Sequence, residues 1–354
     1  MKQNYGGKTP GSFTETVQLV EEYVRAEVVK ETKTKQLYYH TLDHAEAVKS
    51  RANNIFQAIK PVLLQSYSEP ELTRLEDLTN LCGLAHDMVQ LFDPSTAPDK
   101  PRRRPAKMSE AATAEKLLSY IQNLNHQLSS KVSDPKVLFE DRDRQIIQDA
   151  IDATVCLPDP QADRPDFKFS ANSIYQPYLY NSQPKVSLVG HIIALADLGT
   201  LGMEGIDRFV KDGILIFLED NLEFEELVLH CNIHKYLTSD SPENNDVLTQ
   251  KNRASGRPSQ RNIATQKISQ KQRDQINAKL LGMTRFMLNL AHDRYARFET
   301  EIAHFSPAAR QILRDHVFVY LNQENIKNVE QIIPTHKNVE LLELMNFFCL
   351  DSNI

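Results

Sequence analysis

The sequence predicts an all-α protein, a helical bundle with additional C-terminal helices, on three observations. Apolar residues recur at helical spacing along most of the chain, and no segment alternates as a half-buried strand would. Glycine is sparse, 11 in 354 residues, and tryptophan is absent, which suits helices more than tight β-turns. Residues 14–30 place Val17, Val20, Tyr23 and Val24 on one face, and residues 45–60 do the same with Val48, Ala52, Ile55, Phe56 and Ile59. Residues 71–89 carry Leu75, Leu78, Leu81, Cys82, Ala85 and Val89, and residues 110–128 carry Ala114, Leu117, Leu118, Ile121 and Leu124. Further helices are expected at 141–154, 185–202, 206–236, 276–304 and 306–321, with shorter ones to the end.

Three segments break the pattern. LFDPSTAPDKPRRRPAK (91–107) is rich in proline and basic residues, and 157–184 carries several prolines and scattered aromatics. Residues 238–275 are polar, poor in aliphatics and without period, and read as a flexible segment. The chain then divides into a core at 1–237, the polar segment at 238–275 and a helical extension at 276–354 packed on or beside the core. Helical packing or a homo-oligomer surface are the roles open to that extension.

Composition excludes several classes. The chain is 41% hydrophobic and 25% charged, with a net charge of −6. That balance opposes general nucleic-acid binding, which needs a basic face, while leaving room for a local basic pocket. The N-terminus is polar, and no apolar run reaches the roughly 18 residues that span a bilayer, so no membrane partner is expected. Cys82, Cys156, Cys231 and Cys349 are far apart with no C-x-x-C spacing, so neither a thiolate zinc site nor a disulfide framework is expected. A reducing, cytoplasmic location fits.

LCGLAHDMVQ (81–90) reads as the middle of a buried helix, yet it carries His86 and Asp87 side by side. Helix neighbours point about 100° apart, but both can reach one point beside the helix, where a divalent cation would take a nitrogen and a carboxylate oxygen. Gly83 opens space on that flank at a helix cost of about 1 kcal/mol. An isolated pair would be a core histidine beside a surface aspartate. This pair has company. In LYYHTLDHAEAV (37–48), His40 falls in an entering turn, Thr41 at an N-cap and His44 in the first helical turn. In VSLVGHIIALADLGTLGMEG (186–205) the helix is apolar nearly all round, and Asp197 interrupts it with no Lys or Arg one turn away. A buried carboxylate is expensive unless it is paired, here from a distant helix, or binds metal.

His44, His86, Asp87 and Asp197 in this order resemble the ligand set of the HD-domain superfamily of metal-dependent phosphohydrolases. YHTLDH resembles an element of the cyclic-nucleotide phosphodiesterases and of small HD phosphohydrolases, with Thr41 where Asn is usual. KMSEAATAEKLL (107–118), IIQDAIDATVC (146–156) and ALADLGTLG (194–202) resemble later elements, in order, over roughly 37–220. The resemblance implies an HD-domain-like bundle. It implies metal bound by His44, His86, Asp87 and Asp197, with Asp87 also orienting water or bridging a second ion, and His40 as general acid. Glu110 would hold a water or a ligand imidazole, or be an ordinary first-turn glutamate. The mixed donor set suits one or two ions of Mn, Fe, Co, Ni or Zn, and Mg less well. The implied reaction is hydrolysis of a phosphoester of a nucleotide or related small phosphorylated molecule.

Lys100, Arg102, Arg103, Arg104 and Lys107 offer an anion-capturing loop, or simply a solvated one. Thr154 lines the pocket or ends a helix. Two other functions compete. A non-catalytic signalling or scaffold module on the same fold would usually have lost ligands, and all four are here. An oxidative di-iron enzyme needs extra histidines, and only His126 and His191 are spare in this region. A second His-Asp pair, His292–Asp293, has no histidine-rich element before it and reads as a solvated helix face with an Asp293–Arg297 pair.

Overall fold

The computed structural model describes residues 9–94, 101–158, 174–180, 186–237, 269–336 and 338–350. Within them the protein is all-α. Six helices build the first core: α1 (Phe13–Lys35), α2 (Leu42–Leu63), α3 (Glu69–Ala85), α4 (Met108–Leu128), α5 (Asp141–Ala153) and α6 (Leu188–Asp197). Local chemistry sets their ends. The Ser12 hydroxyl accepts from the Glu15 N–H at 3.2 Å to start α1, Ser68 and Glu71 form a reciprocal capping box on α3, and Ser187 caps α6. The apolar stripes then meet in one cluster that includes Val20, Val24, Val48, Ile55, Phe56, Leu78, Leu81, Ile147 and Ile193, all fully buried.

Gly83 brings α3 onto α2. A Cβ there would lie 2.8 Å from the Lys49 Cα, so only glycine permits this approach. The expectation that Gly83 frees space on the histidine flank is met in a more specific form, because it admits a helix backbone.

Several expected helices are shorter or divided. The stretch expected at 185–202 breaks after Asp197, and α7 (Thr200–Glu204) follows a turn at Leu198–Gly199. The stretch at 206–236 becomes α8 (Ile206–Asp220), a 3₁₀ turn, α9 (Glu225–Val228) and α10 (His234–Leu237). Asn221 ends α8, its side chain donating to the Phe217 carbonyl at 2.9 Å. At the other extreme, α11 (Gln270–Glu301) begins inside the segment expected to be a linker. Ser269 and Gln272 cap it reciprocally, and its first turns are helical without being apolar, which hid them from a periodicity test. Residues 238–268 of that segment lie outside the described residues. The helix expected at 306–321 is α12 (Pro307–Ile312) continued by one π turn, and α13 (Gln323–Ile332) and α14 (Leu341–Phe348) complete the chain. The one sheet among the described residues is a two-residue antiparallel pair, β1 (Leu157–Pro158) with β2 (Ile174–Tyr175), too short to show alternation.

The C-terminal helices are threaded through the body. Phe298, Ile302, Phe305, Leu313 and Phe318 belong to the same cluster as α1–α6. Met287, Leu288 and Ala291 pack with Leu201, Phe209 and Val329, and Met345 and Phe348 pack with Phe217 and Phe224. No helix among the described residues is long and apolar enough to cross a membrane.

One cysteine expectation is overturned. Cys231 and Cys349 form a disulfide with a Cα–Cα distance of 5.1 Å across a separation of 118 residues. Spacing along the chain reveals short loops only, so a pair this remote was not legible. The bond ties the segment after α9 to the end of α14. Cys349→Ser is expected to lower unfolding free energy by about 2–4 kcal/mol. In thermal melts, a reducing agent should bring the wild type down to the variant and leave the variant unmoved. Equal melting of the two without reductant would show that the bond adds nothing.

Candidate metal centre

Three helix ends converge. His44 lies in the first turn of α2, behind Thr41, which occupies the N-cap position as expected but makes no side-chain cap hydrogen bond. Asp197 is the last residue of α6. His86 was expected mid-helix, whereas α3 stops at Ala85 and His86 is its C-cap. The next residues are drawn toward α4: the Val89 N–H donates to the Thr113 hydroxyl at 3.0 Å and the Leu91 N–H to the Ser109 hydroxyl at 2.9 Å. These bonds replace the helical ones and aim His86 and Asp87 across the bundle.

The donor atoms nearly touch. His44 Nε2 and His86 Nε2 are 3.3 Å apart. Asp87 Oδ2 lies 2.9 Å from His86 Nε2 and 3.4 Å from His44 Nε2. Asp197 Oδ1 lies 3.5 Å from His86 Nε2 and 4.0 Å from His44 Nε2. All four donors fall within 4.8 Å of one another. A cation about 2.1 Å from each donor sets adjacent donors about 3.0–3.4 Å apart and opposite ones about 4.2 Å apart, so the arrangement fits.

The surroundings orient each donor. His86 Nδ1 donates to the Gly83 carbonyl at 2.9 Å, which turns Nε2 toward the cluster. Gln90 donates to Asp87 Oδ1 at 3.1 Å, and Gln176 donates to Asp197 Oδ2 at 3.2 Å. Each carboxylate thus has one oxygen held by an amide and the other turned to the imidazoles. The alternative reading of Asp197 expected a partner from a distant helix; the partner found is Gln176, in the turn after β2, and it binds the outer oxygen only.

Charge also favours a cation. Burial holds the His44 imidazole below its usual range. Burial pushes His86 down too, but Asp87 and Asp197 carry it well above. Burial pushes Asp87 up, and His86 and His40 overrule it to leave it well below the usual carboxylate range. Glu110, half-buried in the first turn of α4, is raised by burial and by the charges of Asp87 and Asp197. It therefore belongs to the same electrostatic neighbourhood, without a direct bond to a donor.

His40 stands beside this cluster, its Nε2 3.6 Å from Asp87 Oδ2. Its other nitrogen, Nδ1, meets Glu219 Oε1. Glu219, fully buried near the end of α8, also accepts from three consecutive backbone N–H groups, those of Tyr38, Tyr39 and His40, at 3.0, 2.9 and 3.0 Å. Burial pushes its carboxyl up, yet His40 and Arg104 hold it far below the usual range. The sequence reading missed Glu219. The rule that exposed Asp197 applies to it equally: an acid among Ile216, Phe217 and Leu218 with no basic residue one turn away.

The basic loop behaves differently from expectation. Arg102 is committed to backbone carbonyls, donating to Glu219 O at 2.7 Å and Lys35 O at 2.6 Å while stacking on Phe92. It closes the end of α1 rather than awaiting an anion. Arg104 holds Asp220 through two bonds of 2.8 and 3.0 Å and reaches Glu219 at 3.1 Å, beside His40. Arg103 and Lys107 are exposed, and Lys100 lies outside the described residues. Thr154 donates to the Ile151 carbonyl at 2.8 Å and ends α5, the simpler of its two readings.

The second His-Asp pair is not on a solvated face. His292 pairs with Glu330 at 3.1 Å, and Asp293 is 2% exposed. The polar letters of α11 concealed that three apolar clusters wrap it. Of the spare histidines, His126 lies in the last turn of α4. His191 stacks on His304 at 4.4 Å between ring centres. Neither is in the donor cluster.

No known family model, curated protein or solved structure matches this chain.

Proposed function

We propose that the protein is a metal-dependent phosphohydrolase of the HD type, cleaving a phosphoester of a nucleotide or related small phosphorylated molecule. The observation that carries this reading is the convergence of His44, His86, Asp87 and Asp197 within 4.8 Å, beside a histidine backed by a buried carboxylate. A bound divalent ion would supply an activated water and polarise a phosphoryl oxygen. The ordered H…HD…D motif supports the same reading.

The chain's own groups have distinct tasks. Around a bound ion, His44 and His86 would present their Nε2 atoms, the ion displacing the proton that Asp87 and Asp197 otherwise favour on His86, and Asp87 and Asp197 would present one oxygen each. Asp87 Oδ2 also faces His40, so it can orient the attacking water. His40, held through Nδ1 by Glu219, keeps Nε2 toward the cluster and can protonate the leaving oxygen there. Glu219 fixes that ring, and Arg104 in turn holds Glu219 at 3.1 Å.

Protein loaded with manganese, cobalt or zinc should release phosphate or phosphomonoester from a panel of nucleotides and aryl phosphoesters. Chelation should stop turnover and the same metal restore it. Metal-loaded protein inert on the whole panel would sink the reading.

A further inference from the structure

A chamber of about 90 Å³ adjoins the donor cluster. Tyr39 and Asp197 border it, and its opposite lining comes from α8 and α11. Met283, Phe286, Met287 and Leu290 make it apolar, a soft wall suited to a short aliphatic group. All four belong to a helix outside the region that carries the HD resemblance.

Asp212 and Arg294 are the charged residues that α8 and α11 bring to this lining, and Asp212 already accepts from Arg208 at 2.8 Å and from the Thr200 hydroxyl at 3.3 Å. Arg294 is 5% exposed. Its Nη1 donates to Glu301 Oε1 at 2.6 Å, an oxygen that also accepts from the Tyr180 hydroxyl at 2.7 Å. Its Nη2 has no hydrogen-bond partner among the described residues. A buried guanidinium donor without an acceptor is disfavoured, and a ligand atom in the chamber would satisfy it. The charge of Arg294 acts on the same Cys156 thiol as those of Asp197 and Asp87, which places the three in one neighbourhood.

We propose that Arg294 is a specificity residue of the metal centre. It selects phosphoesters whose leaving group carries a short apolar arm ending in a hydrogen-bond acceptor, since about 90 Å³ holds a few carbons and not a substituted ring. The arm lies against the methionine wall, the acceptor meets Nη2, and the phosphate stays with the donor cluster. This inference rests on the phosphoester reading of that cluster.

The test uses full-length protein loaded with manganese and three probes that lack a scissile ester: inorganic phosphate, butylphosphonate and 3-oxobutylphosphonate. Calorimetry should give 3-oxobutylphosphonate about tenfold tighter than butylphosphonate in the wild type, the effect of one bond to a charged donor. Arg294→Met should bring that ratio to about one, with butylphosphonate affinity and manganese stoichiometry unchanged. Because the single variant strands Glu301, the double variant Arg294→Met with Glu301→Gln repeats the measurement with both charges gone. Equal affinities in the wild type, or an unchanged ratio in a folded variant, overturns the role of Arg294 alone. Failure of all three probes to bind manganese-loaded wild type overturns the phosphoester reading, and this inference with it.

Discussion

Purified wild-type protein is expected to carry one or two equivalents of a transition metal, and His86→Ala and Asp197→Ala are expected to carry none. Each replacement removes a different kind of support. His86→Ala deletes a nitrogen whose direction is set by the Gly83 carbonyl at 2.9 Å, and it opens a hole in a fully buried site. Asp197→Ala deletes one of only two carboxylates and leaves Gln176 without its acceptor. Hydrolysis should fall on the order of 10³-fold or more in both, since a bound cation supplies several kcal/mol of charge stabilisation. Asp197→Asn separates charge from shape, because the amide fits the same space next to Gln176 but offers a weaker donor. If elemental analysis finds no metal in wild type under any loading condition, or finds it undiminished in folded variants, the four residues are a structural cluster and the phosphohydrolase reading goes.

The second large effect belongs to Glu219. Glu219→Ala should lower kcat by about 10²-fold or more, the scale of a misplaced general acid, while metal content holds. It should also destabilise the fold by roughly 3 kcal/mol or more, because three backbone N–H groups lose their acceptor in a buried place. Glu219→Gln distinguishes the two consequences. The amide oxygen can still accept from the backbone, so the turn before α2 persists, but the charge that pairs with His40 and Arg104 is gone. The expected pattern is near-native melting, unchanged KM and a kcat close to that of the alanine variant. Full activity in Glu219→Gln would show that proton donation does not depend on the Glu219 carboxylate and would remove its positioning role.

Periodicity is enough to read α1–α6, because each buries a continuous apolar stripe, and side-chain caps sharpen the starts of α1, α3 and α6. The four donors were legible for a different reason. Each is a polar residue where the pattern demands an apolar one, or sits at a predictable helix start. Glu219 obeyed the same rule and was passed over because its helix carries no histidine to draw the eye. Chain geometry at helix ends was much less legible. The stop of α3 at Ala85 depends on hydroxyls of Ser109 and Thr113 that are some twenty residues away, and local propensity does not register them. The same holds for Arg102, whose guanidinium looks like an anion trap in sequence and is spent on carbonyls in space. The burial of Asp293 and Arg294 was hidden by polar neighbours, since a helix wrapped on several sides loses its amphipathic signature.

The threading of α11 and the residues after it through the first core bears on how the chain is made. Asp197 completes the donor set, but Phe298, Ile302, Phe305 and Phe318, which close the same cluster, come later. A ribosome adding about 5–20 residues per second needs roughly 6–24 seconds to travel from Asp197 to Phe318. Through that interval the growing chain holds the four donors and an uncovered apolar surface together. The cluster is therefore assembled beside surface open to premature association, and that surface is covered only when α11 and the residues after it arrive.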